Sequence, residues 1–220
     1  MPRPLERSAA AAIAVTLAAL ATLAPPAGAE VAPGTYVYAI EHSRYGTIGT
    51  HTIMLAKRGA QTIAGVALRI QVKILLVTAH RETADRREVW QDGRLVAYAS
   101  ATRENGKDIK LTAKAAGADL AIMGPAGAKT APGGTMPTNP WNVAILKART
   151  VMDSKTGAVH AVTAVEAQGE ETLKAAGGRV TARKYLFSAG TRRVLWYDAA
   201  GRLVQFQVFN DGNTVTFTLK

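Results

Sequence analysis

The chain has 220 residues, a formal net charge of +11 and no cysteine. The absence of thiols excludes disulfides, the lipid attachment of a lipoprotein, cysteine-held zinc or iron–sulfur clusters, and thiol nucleophiles. The positive charge favours anionic partners such as envelope lipids or an acidic protein surface. Lys and Arg also solvate the polar faces of strands and protect sheet edges, so the charge has a structural explanation as well.

The N-terminus predicts a secretory signal peptide. Arg3 and Arg7 precede an apolar run over residues 9–23, and small residues occupy the positions that a signal peptidase requires before a cut after Ala29. The run is too short and too rich in alanine for an uncleaved anchor, which needs about 20 apolar residues. We therefore expect a cleaved signal over residues 1–29.

The mature chain is predicted to be a single β domain over residues 30–220, located in the periplasm. Export argues against nucleic acid as the partner of its positive charge. An outer-membrane barrel is not favoured, because many strands are polar on both faces and the chain ends Thr218-Leu219-Lys220, without the terminal aromatic residue of that class. The mature protein is thus not expected to span a membrane.

The first predicted strands alternate apolar and polar residues, and Tyr38 and Ile40 share one face. Gly49 in the second strand predicts a bulge or the close approach of another backbone. The third segment, residues 62–77, alternates until it reaches the apolar run 75–77. That run predicts a strand that is covered on both sides or bends over an open end of the sheet.

Two hairpins carry a tryptophan before an Asp and Gly turn. Trp90 precedes Asp92-Gly93, and Trp196 precedes a longer turn from Asp198 to Gly201. Asp and Gly are the residues that tight antiparallel connections need. We interpret these residues as structural, with both tryptophans packing in one continuous sheet. Two further hairpin turns are predicted, at Asn105-Gly106 and Asp211-Gly212.

Residues 124–139 form the irregular region of the chain, rich in Gly and Pro. Long loops of this kind are often functional. Asn139 is suited to cap a helix and Pro140 to occupy its first position, so we expect one helix of about two turns over residues 141–147.

Short connections throughout favour antiparallel pairing. The expected fold is mainly β, an antiparallel meander of roughly ten strands that forms a strongly curved sheet or incomplete barrel with one short helix. A curved sheet with an apolar concave face and a lid is a familiar way to hold an apolar ligand. We expect a ligand-binding mouth at Met136, Trp141, Asn142 and Ile145. The alternative is that this segment plugs the sheet and completes its core.

No catalytic constellation is visible. The four histidines, His42, His51, His80 and His160, show no metal-binding spacing, and no Gly-x-Ser-x-Gly elbow occurs. Carboxylates such as Glu170 could serve glycoside hydrolysis only at a defined separation in space. We predict no enzymatic activity, no cofactor and no metal site.

Several short motifs stand at the predicted turns and strands. They are Gly46-x-x-Gly49-Thr50, Glu88-Val89-Trp90, Asn105-Gly106, the Pro137 to Asn142 segment, Gly169-Glu170-Glu171-Thr172, and Leu195-Trp196-Tyr197-Asp198 before Gly201-Arg202-Leu203. Through them, most of the mature chain resembles a group of exported proteobacterial proteins known as a domain of unknown function. The resemblance implies a curved sheet or incomplete barrel, distantly similar in style to periplasmic lipoprotein carriers, whose concave face holds lipid.

Two hypotheses of function follow. The first is a soluble periplasmic protein that binds a hydrophobic or amphipathic, lipid-like ligand in a half-barrel. The alternative is a non-enzymatic structural or interaction module of the cell envelope, which recognises a protein partner or an anionic envelope component through a sheet edge or its basic face.

Overall fold

The computed structural model describes residues 31–75, 77–210 and 212–220. The predicted signal peptide, Leu76 and Asp211 lie outside the described residues. Within them, β-strands alternate with tight turns along almost the whole chain, as the period-two pattern of apolar residues dictates.

Thirteen strands form one large sheet. They are β1 (Gly34–His42), β2 (Gly46–Arg58), β3 (Gln61–Ile74), β4 (Val77–Gln91), β5 (Arg94–Glu104), β6 (Lys107–Ala116), β7 (Asp119–Gly124), β8 (Gly127–Pro132), β12 (Ala164–Ala175), β13 (Gly178–Ala189), β14 (Thr191–Tyr197), β15 (Leu203–Asn210) and β16 (Asn213–Leu219). A small sheet contains β9 (Met136–Pro137), β10 (Thr150–Met152) and β11 (Val159–Ala161).

The large sheet is antiparallel throughout and follows chain order, except that β16 pairs with β1 and so joins its two halves. Its order runs from β12 through β16, β1 and β2 to β8, and β8 and β12 remain unpaired edges. The strongly curved, mainly β sheet is confirmed. The described residues form sixteen strands rather than about ten. The difference includes β8 and β9, which arise in the Gly- and Pro-rich region that was expected to be irregular.

The helix prediction needs correction. The structure has a 3-10 helix over Val143–Lys147, preceded by Asn142 as the N-cap. The Asn142 side chain accepts a hydrogen bond from the backbone N–H of Ala144 at 3.0 Å. Asn139 does not cap the helix, because its side chain faces His51 and Glu88 in the interior.

Residues 133–163, which we call the plug segment, contain this helix and the small sheet. Their apolar side chains join the core cluster formed by the large sheet: Met136, Trp141, Val143, Ile145, Leu146, Val151 and Met152. The concave face is therefore largely filled by its own chain. This arrangement positions the site described below, because polar parts of the plug segment meet polar side chains of the sheet.

The tight turns predicted at Asp92-Gly93 and Asn105-Gly106 are present, and their backbone explains their residues. Asp92 and Gly93 have φ angles of 48° and 73°, and Asn105 and Gly106 have 48° and 87°. Asp, Asn and Gly tolerate this left-handed region better than other residues do. The close approach at Gly49 is also confirmed, since a Cβ atom there would overlap the carbonyl oxygen of Arg69.

Leu75 and Val77 of the apolar run are exposed rather than covered on both sides, so that prediction was wrong. β3 ends at Ile74 and β4 begins at Val77. Leu75 turns the chain with a φ of 56° and is 94% exposed. Residue type alone suggested burial, whereas the hairpin projects beyond the sheet.

Trp90 and Trp196 lie in two separate cores. Trp90 belongs to the main cluster with the plug segment. Trp196 packs with Ala175, Ala182, Val194 and Val204 in a second, smaller cluster. The indole N–H of Trp196 donates to Glu171 at 2.9 Å, whose carboxylate also binds Lys184 at 2.7 Å.

Candidate functional site

A buried carboxylate anchors the plug segment to the sheet. Glu88 on β4 has no exposed surface. Its Oε2 accepts hydrogen bonds from the indole N–H groups of Trp90 at 2.9 Å and Trp141 at 2.8 Å, and its Oε1 lies 3.5 Å from Nδ2 of Asn139. The two indole rings meet edge to face, with centroids 5.9 Å apart. Two of these three donors, Trp141 and Asn139, belong to the plug segment, so Glu88 attaches that segment to the sheet.

Burial raises the pKa of Glu88 above its ordinary value, although the three hydrogen bonds and the charge of Arg86 oppose the rise. Desolvation disfavours the charged form of a carboxyl group. Ionisation of Glu88 is therefore unfavourable in this interior. The three hydrogen bonds and the nearby guanidinium of Arg86 reduce its free-energy cost.

His51 on β2 is the second buried ionisable group, with 4% of its surface exposed. Its Nε2 lies 3.3 Å from Oδ1 of Asn139, and its ring contacts those of Tyr38, Phe206 and Phe217. Burial, followed by the positive charge of Arg86, lowers the pKa of His51 to about 3. The imidazole is therefore neutral at ordinary pH. It joins Asn139 of the plug segment to the aromatic side chains of the sheet.

Above this network lies a cleft of about 200 Å³ between the sheet and the plug segment. Its apolar wall comes from the sheet and consists of Leu68, Phe206, Val208 and Phe217. The rings of Phe206 and Phe217 stack with centroids 4.0 Å apart and planes inclined by 11°. Thr138, Asn139 and Ser154 of the plug segment line the cleft opposite this wall.

Two arginines of the sheet, Arg86 and Arg193, also line the cleft. Arg193 is 9% exposed and donates through Nη1 to the carbonyl of Thr138 at 2.9 Å. The Nε atoms of both arginines are buried and have no hydrogen-bond partner among the described residues. A guanidinium offers five N–H donors. The two arginines therefore make this side of the cleft cationic.

Acidic residues balance part of this charge at the edge of the cleft. Asp153 accepts hydrogen bonds from Thr156 and Lys155 within its own turn. Burial would raise the pKa of Asp153, but these bonds hold it below the ordinary value. Asp153 is therefore an anion whose hydrogen bonds stay within its own turn. Its interaction with Arg193 is electrostatic.

His80, Glu82 and Glu104 bring three potential metal ligands within 4.8 Å of one another. The ammonium of Lys155 lies 3.0 Å from Glu104 and 3.6 Å from Glu82. This lysine already supplies the positive charge that the two carboxylates need. We interpret the group as an ion-pair network that attaches the plug segment to β4 and β5.

The residues expected at a ligand mouth occupy the plug segment but do not line the cleft. Trp141 and Ile145 are 5% and 0% exposed, and Met136 is 7% exposed beside a second hollow of about 160 Å³ near Trp90. Asn142 caps the 3-10 helix.

Sequence reasoning missed Glu88, His51, Arg86 and Arg193 as a group. The motif Glu88-Val89-Trp90 was visible, but nothing local shows that a carboxylate and an indole two residues apart bind each other. The sequence does not show that Arg86 and Arg193 line the same cleft, because β4 and β14 lie far apart in the chain.

These features define a class of protein, an open β half-barrel. The plug segment fills most of its concave face and leaves a small cleft lined by two arginines. Residues 38–220 match the family described as Domain of unknown function (DUF6134). The chain belongs to this family, which confirms the resemblance to a domain of unknown function. No match was found among curated proteins.

One solved structure supports the fold. The crystal structure of a beta-barrel-like protein of domain of unknown function DUF1849 from Brucella abortus is similar, with a TM-score of 0.60, 10% identity, and coverage of 86% of this chain and 95% of the other. The lipoprotein LppX from Mycobacterium tuberculosis matches with a TM-score of 0.28 and 10% identity, over 86% of this chain and 85% of that one. Among the described residues, none of the helices has the length and apolar character of a membrane span.

Proposed function

We propose that the protein binds an amphipathic, lipid-like molecule in the cleft, as an exported protein of the periplasm. The observation that most supports this function is that the arginines Arg86 and Arg193 line the cleft beside an apolar wall. A carboxylate or phosphate in the cleft would pair with these two cations through charge-assisted hydrogen bonds.

The size of the cleft limits which part of the ligand it holds. Its volume of about 200 Å³ is below the roughly 300–1,000 Å³ of sites that enclose a drug-sized ligand. The anionic end would contact the arginines, and the adjoining chain would lie against Phe206 and Phe217. A longer apolar chain would require the plug segment to move, which would bring Met136, Trp141, Asn142 and Ile145 to the ligand.

Replacing Arg86 by Gln is expected to weaken binding of a fluorescent long-chain fatty acid about tenfold, because a hydrogen bond to a charged group contributes about 1.5–3 kcal/mol. Arg86 is half-buried and faces the cleft, whereas Arg87 is exposed on the other face of β4. Arg87→Gln is therefore the matched control and should bind the probe as the wild type does. Titration of both variants and the wild type by probe fluorescence measures the difference.

Native mass spectrometry of protein purified from its own periplasm tests the same proposal without a chosen probe. Retained lipid-like mass that disappears after unfolding and refolding supports it. Native and refolded samples that show only the apoprotein mass, together with no binding of fatty-acid or lysophospholipid probes, would rule it out. Equal affinities of Arg86→Gln and Arg87→Gln would remove the cleft as the site.

The unpaired edges support a second candidate function, an interaction module for an envelope protein. β8 and β12 end the large sheet, and Val165 on β12 is 38% exposed. Such edges can add a strand from a partner. Crosslinking in intact cells followed by purification at low salt tests this function. Recovery of no partner would count against it.

A further inference from the structure

The β3–β4 hairpin projects beyond its neighbours in the sheet. β3 pairs with β2 only as far as Ile70, and β4 pairs with β5 only from Glu82. Residues 71–74 and 77–81, which we call the β3–β4 ribbon, have strand pairing only with each other among the described residues. At about 3.3 Å per residue, the four residues of β3 in the ribbon are roughly 13 Å long. The ribbon therefore separates from the neighbouring strands as a two-stranded hairpin, while Val72 near its base still packs in the core.

The end of this ribbon is apolar and exposed. Ile74, Leu75 and Val77 are 47%, 94% and 69% exposed. Leu75 occupies a left-handed turn position with φ of 56°, where Asn or Gly would be more favourable. Neither the turn nor the core explains apolar side chains here. Exposed apolar groups of this kind mark contact with a partner or a membrane.

The charge around the ribbon points to an anionic partner. Residues 71–81 include Lys73 and Arg81 and contain no Asp or Glu. Asn105 fixes the ribbon base, because its backbone N–H donates to the carbonyl of Arg81 at 2.9 Å. A hollow of about 370 Å³ at this base is lined by Arg81, Thr83, Arg103 and Gly106. Lys73 and Arg81 thus lie between the apolar tip and the rest of the sheet.

We propose that the β3–β4 ribbon docks on an anionic lipid bilayer. Ile74, Leu75 and Val77 enter the boundary between head groups and acyl chains, while Lys73 and Arg81 contact phosphates. Membrane-surface binding combines buried apolar area with attraction to anionic lipids in this way. Leu68 and Glu82, which line the cleft, lie next to the ribbon on the same strands. Docking therefore brings the cleft towards the bilayer.

Vesicle flotation tests the proposal with the full mature chain. We expect binding to phosphatidylcholine vesicles containing phosphatidylglycerol, with about tenfold weaker binding to phosphatidylcholine alone and in high salt. The triple variant Ile74→Ser, Leu75→Asn, Val77→Ser should lose binding about tenfold or more, because it removes the apolar tip. Asn suits the turn at residue 75, so the variant should fold, which circular dichroism checks.

Met54→Ser is the matched control, because Met54 is a 49% exposed apolar residue on β2, outside the ribbon. It should bind vesicles as the wild type does. Leu75→Trp should keep binding and show a blue shift of its indole emission on vesicles. Arg86→Gln should also keep vesicle binding, which separates docking from ligand binding in the cleft. The proposal is overturned if the wild type binds neither vesicle, or if the triple variant binds equally well.

Discussion

Replacing Glu88 by Ala is expected to lower the free energy of unfolding by about 4 kcal/mol, because it leaves two indole N–H groups and an amide unpaired and opens a cavity. The affected donors come from Trp90, Trp141 and Asn139. Urea unfolding monitored by tryptophan fluorescence measures the loss. For a chain of this size it corresponds to a fall in Tm of about 10 °C.

The second Glu–Trp pair supplies the control for this prediction. Glu171 accepts a hydrogen bond from Trp196 as Glu88 does from Trp90, but its side chain is 41% exposed. Glu171→Ala should cost less than about 1 kcal/mol, because water replaces the lost acceptor. Similar losses in the two variants would show that burial at Glu88 does not determine its contribution.

The second large effect is on acid stability, and it depends on His51. Its pKa is lowered from 6.5 to about 3 in the folded protein. Between these values the unfolded chain binds a proton that the folded chain does not, so stability is present above pH 6.5 and is lost as the pH falls towards 3. The full loss amounts to about 5 kcal/mol.

His51→Gln should therefore have a flatter dependence of unfolding free energy on pH across this window, whatever its stability at neutral pH. Urea unfolding at a series of pH values measures the slope, and other acidic groups cancel in the comparison with the wild type. His42→Gln, at a half-buried surface position, is the control. Parallel curves for the wild type and His51→Gln would contradict the prediction.

Glu88 acts in the opposite direction at higher pH. Because its folded pKa is raised above 4.5, stability is fully present below that value and is lost as the pH rises through the folded pKa. Glu88→Gln should remove this decline while keeping an acceptor oxygen for the indoles. Above pH 4.5, His51 and Glu88 therefore change the free energy of unfolding in opposite directions.

Local signals in the sequence predicted much of the fold correctly. Period-two alternation identified the strands, and Asp92-Gly93 and Asn105-Gly106 identified hairpins, because positive φ angles restrict which residues can turn a chain. The apolar run at residues 75–77 was misread, since hydrophobicity predicts burial only when a partner surface exists. Asn139 was expected to cap the helix over residues 141–147, whereas Asn142 caps it. Two asparagines near a helix start look alike in the sequence before their side-chain partners are known.

The candidate site was less accessible to sequence reasoning. Trp141 and Asn139 reach Glu88 across 53 and 51 residues of chain. The sequence spacing of two such distant residues does not predict whether they touch. Their positions depend on the length of every strand and the place of every turn between them. The same limit applies to Arg86 and Arg193, which line one cleft from strands in different halves of the sheet.

The sequence by itself determined that this chain makes a curved antiparallel sheet, because strand alternation and turn chemistry act over only a few residues. Only the tertiary structure decided that the Gly- and Pro-rich segment fills the concave face, that Glu88 and His51 are both buried and contact Asn139, and that two arginines face a cleft. Those outcomes depend on burial and on contacts between distant strands, which set desolvation and hydrogen bonding.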